Sequence, residues 1–312
     1  MVITMVKLTE YNEKYDTRLR KLDPVTYYTI KYHSDVITES VCAAIDGNKL
    51  IGVGFLKSGA TFLKVDKLDL PCYFIHAEHI EDEKADPEKQ IIASELILER
   101  LKTVFGDIQE KHTGKRLILR LWCDAKRIVY EEFLMMHGFR PMRIIPVLVR
   151  ELTKEDERYY ESSRKTITMN DGEELRIEEM NPNDDSFMEA YTVTNREAFE
   201  VEDSENELKF VMQGEDSHVF AVMKEKRVIA AVTLWRISGE RAATENIFCA
   251  ADYRRKGVTS QLLKYVFGFL KSRGYEQASL TVFGDNQPAA QLYFKLGYEV
   301  ESNFLELHYE GL

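Results

Sequence analysis

At residues 254–259 the chain reads Arg-Arg-Lys-Gly-Val-Thr, a basic turn between two segments of different periodicity. The apolar run 246–250 before the turn is typical of a buried strand. After the turn, apolar residues recur about every 3.6 positions and predict a helix from about Ser260 to Gly274. The first N–H groups of a helix are unpaired and lie at the positive end of its dipole. A glycine among three cations at this point therefore favours the binding of a phosphate or diphosphate group.

The segment after this helix continues the alternation of strand and helix. Residues 278–283 form a short apolar run that predicts a buried strand, and residues 284–286, Gly-Asp-Asn, predict a turn. A second, shorter helix is expected from about Ala289 to Leu296, and Gly297 is expected to end it.

The chain from about residue 174 to residue 312 resembles the GNAT superfamily of acetyl-CoA-dependent N-acyltransferases. Two motifs in the family's order and separation carry the resemblance: Arg254-x-x-Gly257-x-Thr259 and Asn286-x-x-Ala289-x-x-Leu292-Tyr293-x-x-x-Gly297-Tyr298. The resemblance implies an α/β fold with a mixed sheet flanked by helices. It also implies a coenzyme held in a V-shaped opening between two splayed central strands.

The resemblance assigns the binding of acetyl-CoA to two sets of residues. The turn that would bind the pyrophosphate comprises Arg254, Arg255, Lys256, Gly257, Val258 and Thr259. The residues expected along the pantetheine arm are Phe248, Cys249, Ala250 and Asn286. The family prefers Gly or Ala where this chain has Thr259, whose β-branched side chain narrows the approach to the helix. Its hydroxyl could add a hydrogen bond to phosphate.

Two residues are candidates for the chemistry of acetyl transfer. Glu245, on the strand before the basic turn, resembles the general base of histone-acetyltransferase-like members, acting directly or through water. The alternative is a strand glutamate that faces solvent. Tyr293 occupies the place where many family members have a tyrosine that donates a hydrogen bond or proton to the coenzyme's sulfur, and the alternative is a core aromatic. A covalent acetyl-cysteine at Cys249 is the less favoured route, because direct transfer needs no nucleophile.

The sequence also contains an internal duplication. Residues 41–56 align without a gap to residues 219–234, and both stretches predict a hairpin. Residues 117–124 parallel 278–285, and His137-Gly138-Phe139 parallels Leu296-Gly297-Tyr298. We therefore predict two tandem GNAT-like domains, over 1–152 and 173–312, joined by a polar linker over 153–172.

The two predicted domains differ at the motif positions. Alignment of their amphipathic helices places Glu88, Ile91 and Ala93 at the positions of Arg254, Gly257 and Thr259. Leu134 falls at the position of Tyr293. The N-terminal domain is therefore expected to keep the fold and to lack coenzyme binding.

Composition limits the remaining classes of function. The chain has 312 residues, 44% of them hydrophobic, and a net charge of −11, which argues against partners such as nucleic acid or an anionic membrane. The start of the chain does not resemble a secretory signal, so a cytoplasmic protein is expected. The four cysteines lack Cys-x-x-Cys spacing, and His76 with His79 is interpreted as an ordinary polar pair, so no metal site is expected. A homodimer is left open.

Together these features predict an acetyl-CoA-dependent N-acetyltransferase. The expected acceptor is a primary amine of a small molecule or peptide, and no motif identifies it further. The alternative from another class is an acyl-CoA-binding regulatory module that turns over no acceptor.

Overall fold

The computed structural model describes most of the chain: residues 6–32, 35–62, 72–82, 84–112, 116–169, 172–181, 183–200, 208, 212 and 216–311. Contacts divide the described residues into two compact units. Unit 1 comprises those within Met1–Leu121, His137–Arg140 and Leu307–Leu312, and unit 2 those within Trp122–Met136 and Pro141–Glu306.

Unit 1 is built on five strands in the order in which they occur along the chain. They are β1 (Val6–Glu10), β2 (Val36–Asp46), β3 (Lys49–Phe62), β4 (Cys72–Glu81) and β5 (Arg116–Asp124). Neighbouring strands are antiparallel except β4 and β5, which are parallel. The helices are α1 (Asp16–Leu22), α2 (Pro24–Tyr32) and α3 (Pro87–Lys111). One face of α3 is apolar and buried, including Ile97, Leu101 and Phe105, so this helix covers the sheet.

Unit 2 contains a sheet in the order β6-β12-β11-β10-β9-β8-β7. The strands are β6 (Arg140–Glu151), β7 (Thr166–Thr168), β8 (Glu174–Glu179), β9 (His218–Lys224), β10 (Arg227–Arg236), β11 (Arg241–Cys249) and β12 (Gln277–Thr281). The helices are α4 (Ile128–Met136), α5 (Lys154–Ser162), α6 (Asp185–Phe199), α7 (Val258–Ser272) and α8 (Gln287–Lys295). The last strand, β13 (Glu299–Tyr309), has residues in both units.

Both faces of the unit 2 sheet are covered by helices. Val232 and Leu234 of β10 belong to the core that contains α7, whereas Ala231 belongs to the core that contains Tyr191 of α6. Successive side chains of a strand point to opposite faces, so the central strand is apolar on both sides. Because both faces of β10 are buried, its sequence is an almost continuous apolar run.

The predicted elements are present in both halves of the duplication. Residues 41–56 form part of the β2–β3 hairpin and residues 219–234 part of the β9–β10 hairpin. Gly138 and Gly297 follow α4 and α8 with φ of 88° and 86°, a backbone conformation that glycine adopts without a steric penalty. The mixed α/β fold with a duplicated pattern is confirmed.

The boundaries between domains need correction in two places. The segment predicted as a linker, 153–172, contains α5 and β7, and both belong to unit 2. A bidentate pair between Arg150 and Asp156, with N–O distances of 2.8 and 3.1 Å, anchors the start of α5. In addition, β6 precedes the predicted boundary at residue 152, yet it pairs with β12. Sequence order did not reveal this pairing, because strand partners are set by long-range contacts.

Some predictions fall on parts of the chain that are not described. Residues 1–5, predicted not to be a signal, lie outside the described residues, as do the side chains of Cys72 and His76. Within the described ranges, no helix combines the length and the apolar character needed to cross a membrane.

Gly268 allows α5 to pack closely across α7. A Cβ at this position would overlap the main-chain oxygen of Asp156 and the Cβ of Tyr160. We expect Gly268→Ala to lower the free energy of unfolding by about 1–3 kcal/mol, because main-chain atoms cannot move aside as a flexible side chain can. Urea unfolding measures this change. Gly239→Ala, where a Cβ meets no atom within 4 Å, is the control, and equal effects of the two substitutions would contradict the packing.

Candidate active site

The two central strands of unit 2 separate at the level of Ala243. Parallel pairing of β11 with β12 runs from Arg241 opposite Gln277 to Ala243 opposite Ser279 and then stops. Just beyond, β11 has two residues, Asn246 and Ile247, where β10 has one, and Asn246 has a φ of 50°. This β-bulge bends β11 away from β12. The expected opening between two splayed strands is therefore present.

Side chains of β11 satisfy main-chain groups of β12 where the ladder ends. The hydroxyl of Thr244 donates to the carbonyl oxygen of Ser279 at 3.1 Å and lies 2.7 Å from the hydroxyl of Tyr298. One oxygen of Glu245, Oε1, accepts from the N–H of Thr281 at 2.7 Å and from its hydroxyl at 3.0 Å. Glu245 is half-buried, so it is neither a solvent-facing strand residue nor a mobile one.

Tyr293 lies in α8 with 6% of its surface exposed. Its ring packs edge-on against Tyr298, with 5.9 Å between ring centroids. Burial raises the pKa of the Tyr293 hydroxyl, and the negative charge of Glu245 raises it further. Within the part of the chain that the structure describes, this hydroxyl makes no hydrogen bond. The structure thus brings together the two residues predicted for catalysis, and it keeps the phenol protonated.

The basic turn stands at the start of α7 as the sequence predicts. Gly257 is the N-cap residue, with a φ of 82°, and a Cβ added to it would have only the Gln261 side chain nearby, at 3.9 Å. The residues from Arg254 to Gly257 are exposed. Among the described residues, no acceptor is hydrogen-bonded to the main-chain N–H groups of residues 255–260. These groups form an open set of donors for an anion.

The charge of the turn remains positive after its internal pairing. Asp252 is held by a bidentate pair with Arg227, at 2.8 and 2.9 Å. Arg254 donates through Nε to the carbonyl oxygen of Cys249 at 3.1 Å, so it retains its charge. Arg255 and Lys256 add two more cations beside the helix start, where they favour a phosphate group.

Thr259 and Val258 have structural roles at the start of α7. Val258 is buried in the core, so only its main chain is available to a ligand. The side chain of Thr259 lies near the thiol of Cys249 and lowers the pKa of that thiol. Burial raises the pKa of this thiol, and the Thr259 contact offsets only part of the rise. A reactive thiolate at Cys249 is therefore not favoured.

The residues predicted along the pantetheine arm differ in whether they are available to a ligand. The N–H of Ala250 already donates to the carbonyl oxygen of Ile229 at 2.8 Å, so it is not available. Successive residues of an antiparallel strand direct their N–H and C=O groups to opposite sides. The N–H and C=O groups of Cys249 therefore point away from β10. Phe248 is buried edge-on against Tyr191. The side chain of Asn286 accepts from Ala289 N at 3.4 Å, so it caps α8 and leaves its amide group to contact a ligand.

Unit 1 lacks these features at the equivalent positions. The positions that are equivalent in the structure are not those that the sequence alignment pairs. The N–H of Asp82 donates to Ile51, as that of Ala250 does to Ile229, and Asp86 is the N-cap of α3, as Gly257 is of α7. The counterpart of Gly257 is therefore Asp86 and not Ile91. The connection from Asp82 to Asp86 is three residues shorter than that from Ala250 to Gly257.

The N-terminus of α3 is also closed to an anion. The Asp86 side chain accepts from the N–H of Glu88 at 3.0 Å, and Pro87 has no N–H. Asp82 is buried at the place of Ala250, with Lys49 at 3.3 Å and Arg18 as ion-pair partners. Two carboxylates stand where a diphosphate would need positive charge.

Sequence reasoning missed three residues that hold the site: Thr244, Thr281 and Tyr298. Thr281 fixes Glu245, and Thr244 with Tyr298 fixes the point where the strands separate. Their roles depend on the register of β11 against β12, which no local pattern encodes. Among the described residues, no group of three His, Cys, Asp or Glu side chains is placed to hold a metal ion.

Part of the chain is similar to known acetyltransferases. A model of the acetyltransferase (GNAT) family matches residues 184–298. An acetyltransferase of Sodalis glossinidius is 28% identical over 92 residues, which make up 30% of this chain and 65% of the relative. The match thus spans just under two thirds of that relative's length.

Two solved structures are similar over nearly the whole chain. A GCN5-related N-acetyltransferase from Sphaerobacter thermophilus has a TM-score of 0.65 at 12% identity, covering 98% of this chain and 97% of that one. A tandem GNAT protein from the clavulanic acid biosynthesis pathway has a TM-score of 0.63 at 9% identity, covering 98% of each chain. These likenesses show the fold alone, a mixed α/β fold shared with these structures over nearly the whole chain. Over residues 184–298, this chain is similar to the GNAT family of acetyltransferases.

Proposed function

We propose that unit 2 transfers an acetyl group from acetyl-CoA directly to a primary amine of a small molecule or peptide. The observation that carries the proposal is the opening between β11 and β12, which has Glu245 at its apex and the buried hydroxyl of Tyr293 close enough to sense its charge. The open helix start at Gly257 follows directly from the same strand. We thus assign the base to β11, the anion site to the start of α7 and the acid to α8.

The residues of the turn fit the diphosphate of the coenzyme. Gly257 leaves space for close approach, and the N–H groups of residues 255–260 offer donors, while Arg255 and Lys256 offer charge. The main chain of Cys249 offers a strand edge to an extended arm. When bound, acetyl-CoA would supply the acetyl group as a thioester and leave as a thiol.

Glu245 is suited to take the proton that an ammonium group must lose before it can react. Its carboxylate is half-buried and fixed by two hydrogen bonds from Thr281, so little reorganisation is needed. The positive charge of the acceptor would also be attracted to it.

Tyr293 is suited to give a proton to the departing sulfur. Burial and the nearby carboxylate raise the pKa of its hydroxyl, so the group is a neutral donor at neutral pH. Over one turnover of an ammonium acceptor the products carry one proton fewer than the reactants, and that proton passes from the Glu245 side to solvent. The acceptor nitrogen loses a second proton as the amide forms, and this proton replaces the one that the Tyr293 hydroxyl gave to the sulfur.

The test of this function is the variant Tyr293→Phe in a panel of amine acceptors. We expect kcat to fall about 100-fold, because general acid catalysis is lost, while the Kd for acetyl-CoA stays unchanged. The control is Tyr265→Phe, which removes the hydroxyl of a buried tyrosine on a different helix, α7. This variant is expected to keep wild-type activity. Thiol release from acetyl-CoA measures the rate.

Two outcomes would contradict the proposal. Full activity of Tyr293→Phe would remove the tyrosine from the chemistry. If wild type binds acetyl-CoA yet no amine, peptide or aminoglycoside stimulates thiol release, unit 2 is instead a coenzyme-binding regulatory module.

A further inference from the structure

Unit 1 contains a cavity of about 420 Å³ at the edge of its sheet. The cavity lies where β1 stops. β1 pairs with β2 from Cys42 to Asp46, and the N–H of Tyr11 donates to the carbonyl oxygen of Val41 at 3.4 Å. Among the described residues, 36–40 of β2 have no strand partner on that side. Helix α2 contributes Ile30 and helix α3 contributes Arg100 to its walls. A volume of this size lies within the range of small-molecule sites, which is about 300–1,000 Å³.

A large bulge in β2 shapes the cavity. Between the pair Ile37–Leu56 and the pair Cys42–Gly54, β2 has four residues where β3 has one. The fully buried Ser40 fixes the bulge, because its hydroxyl donates to the carbonyl oxygen of Ile37 at 2.5 Å and accepts from the N–H of Leu56 at 2.7 Å. The side chain thus replaces the missing main-chain pairing. Bulges of this kind often turn side chains towards functional sites.

Three charged side chains line the cavity without pairing. They are Glu10, Glu39 and Arg100. The guanidinium donates through Nη2 to the main-chain carbonyl oxygen of Glu39 at 2.9 Å, which anchors it beside the bulge. Within the described residues, neither glutamate forms an ion pair, and Arg100 contacts no carboxylate. Charges of both signs at one cavity are therefore available to a ligand.

The rest of the wall is largely apolar. Ile30 of α2 and the strand residues Val36 and Val41 line it, together with the ring of Tyr11. The Tyr11 hydroxyl is already bound to Asp16 at 2.8 Å, so the ring contributes mainly apolar surface. An apolar wall with a few fixed polar groups is the usual composition of a small-molecule site.

We propose that this cavity binds a small zwitterion, an α-amino acid or short peptide with an apolar side chain. The planar guanidinium of Arg100 matches a carboxylate, which it can bind with two parallel hydrogen bonds. Glu10 and Glu39 match an ammonium group, and the valine and isoleucine side chains match an apolar substituent. All of these residues belong to unit 1, so the site shares no residue with the site proposed in unit 2.

The experiment compares ligands that each lack one charge. Calorimetry on the full chain would use leucine, phenylalanine and dileucine, with leucinamide lacking the carboxylate and N-acetyl-leucine lacking the ammonium group. We expect the zwitterions to bind, and each single-charge analogue of leucine to bind at least about tenfold more weakly. If none of the three zwitterions binds at millimolar concentration, or if both analogues bind as leucine does, the proposal is wrong.

Variants assign each charge to its residue. Arg100→Gln is expected to weaken leucine binding about tenfold and to leave leucinamide unchanged. Glu10→Gln with Glu39→Gln is expected to weaken leucine and leucinamide and to leave N-acetyl-leucine unchanged. Glu99→Gln, on the same helix and paired with Lys102, is the control that should bind as wild type does. Unchanged leucine binding in both cavity variants would overturn the site, and the analogue series on wild type decides the matter should either variant fail to fold.

Discussion

Gly257→Asp is expected to weaken acetyl-CoA binding by at least about 100-fold. The new carboxylate would stand among the unpaired N–H groups at the start of α7, where it would repel the diphosphate and compete for its donors. It would also occupy the space that the glycine leaves open. Isothermal calorimetry with acetyl-CoA measures the loss.

The control for this substitution is Gly274→Asp at the other end of the same helix. Gly274 has a φ of 88° and Gly257 a φ of 82°, so both variants carry the backbone strain of a non-glycine residue in this conformation. A Cβ at Gly274 meets no atom within 4 Å. We expect Gly274→Asp to lose a similar amount of stability and to bind acetyl-CoA normally. Equal binding loss in both variants would mean that strain, and not the phosphate site, explains the effect.

Glu245→Gln is expected to lower kcat by about 100- to 10,000-fold while the Kd for acetyl-CoA stays unchanged. The amide oxygen of glutamine can still accept from the N–H and hydroxyl of Thr281, so the strand separation is retained. What the variant lacks is a group basic enough to take a proton from the acceptor. Steady-state rates with saturating amine, together with calorimetry, separate the two effects.

Glu240→Gln provides the matched control, because this exposed glutamate precedes β11. It is expected to act as wild type does. If Glu245→Gln retains full kcat with an amine present mainly as its ammonium form, then Glu245 is not the base. If the same variant loses coenzyme binding instead, the carboxylate is a structural element of the opening.

Much of the fold is encoded in local patterns. The helical period after residue 258, the hairpins and the glycines at 138 and 297 all lie where the sequence predicts them. These features depend on neighbours close in the chain. The placement of β6 beside β12 and of α5 across Gly268 depends on contacts between distant residues, which explains why the predicted linker is a packed part of unit 2.

The sequence names the main residues of the candidate site but not the residues that hold them in place. Glu245, Tyr293 and the turn at Gly257 follow from motif spacing, whereas Thr281 and Thr244 are visible only once β11 and β12 are placed side by side. The duplicate in unit 1 was aligned by helix periodicity, which cannot detect a shortened turn. In the structure the counterpart of Gly257 is Asp86, whose carboxylate caps the helix start and disfavours a phosphate there.

We propose that the chain has one coenzyme site, at the start of α7. Titration of the wild-type chain with acetyl-CoA in a calorimeter tests this claim most directly. We predict saturation at one equivalent, abolished by Gly257→Asp. Saturation at two equivalents, or binding that survives Gly257→Asp, would contradict it.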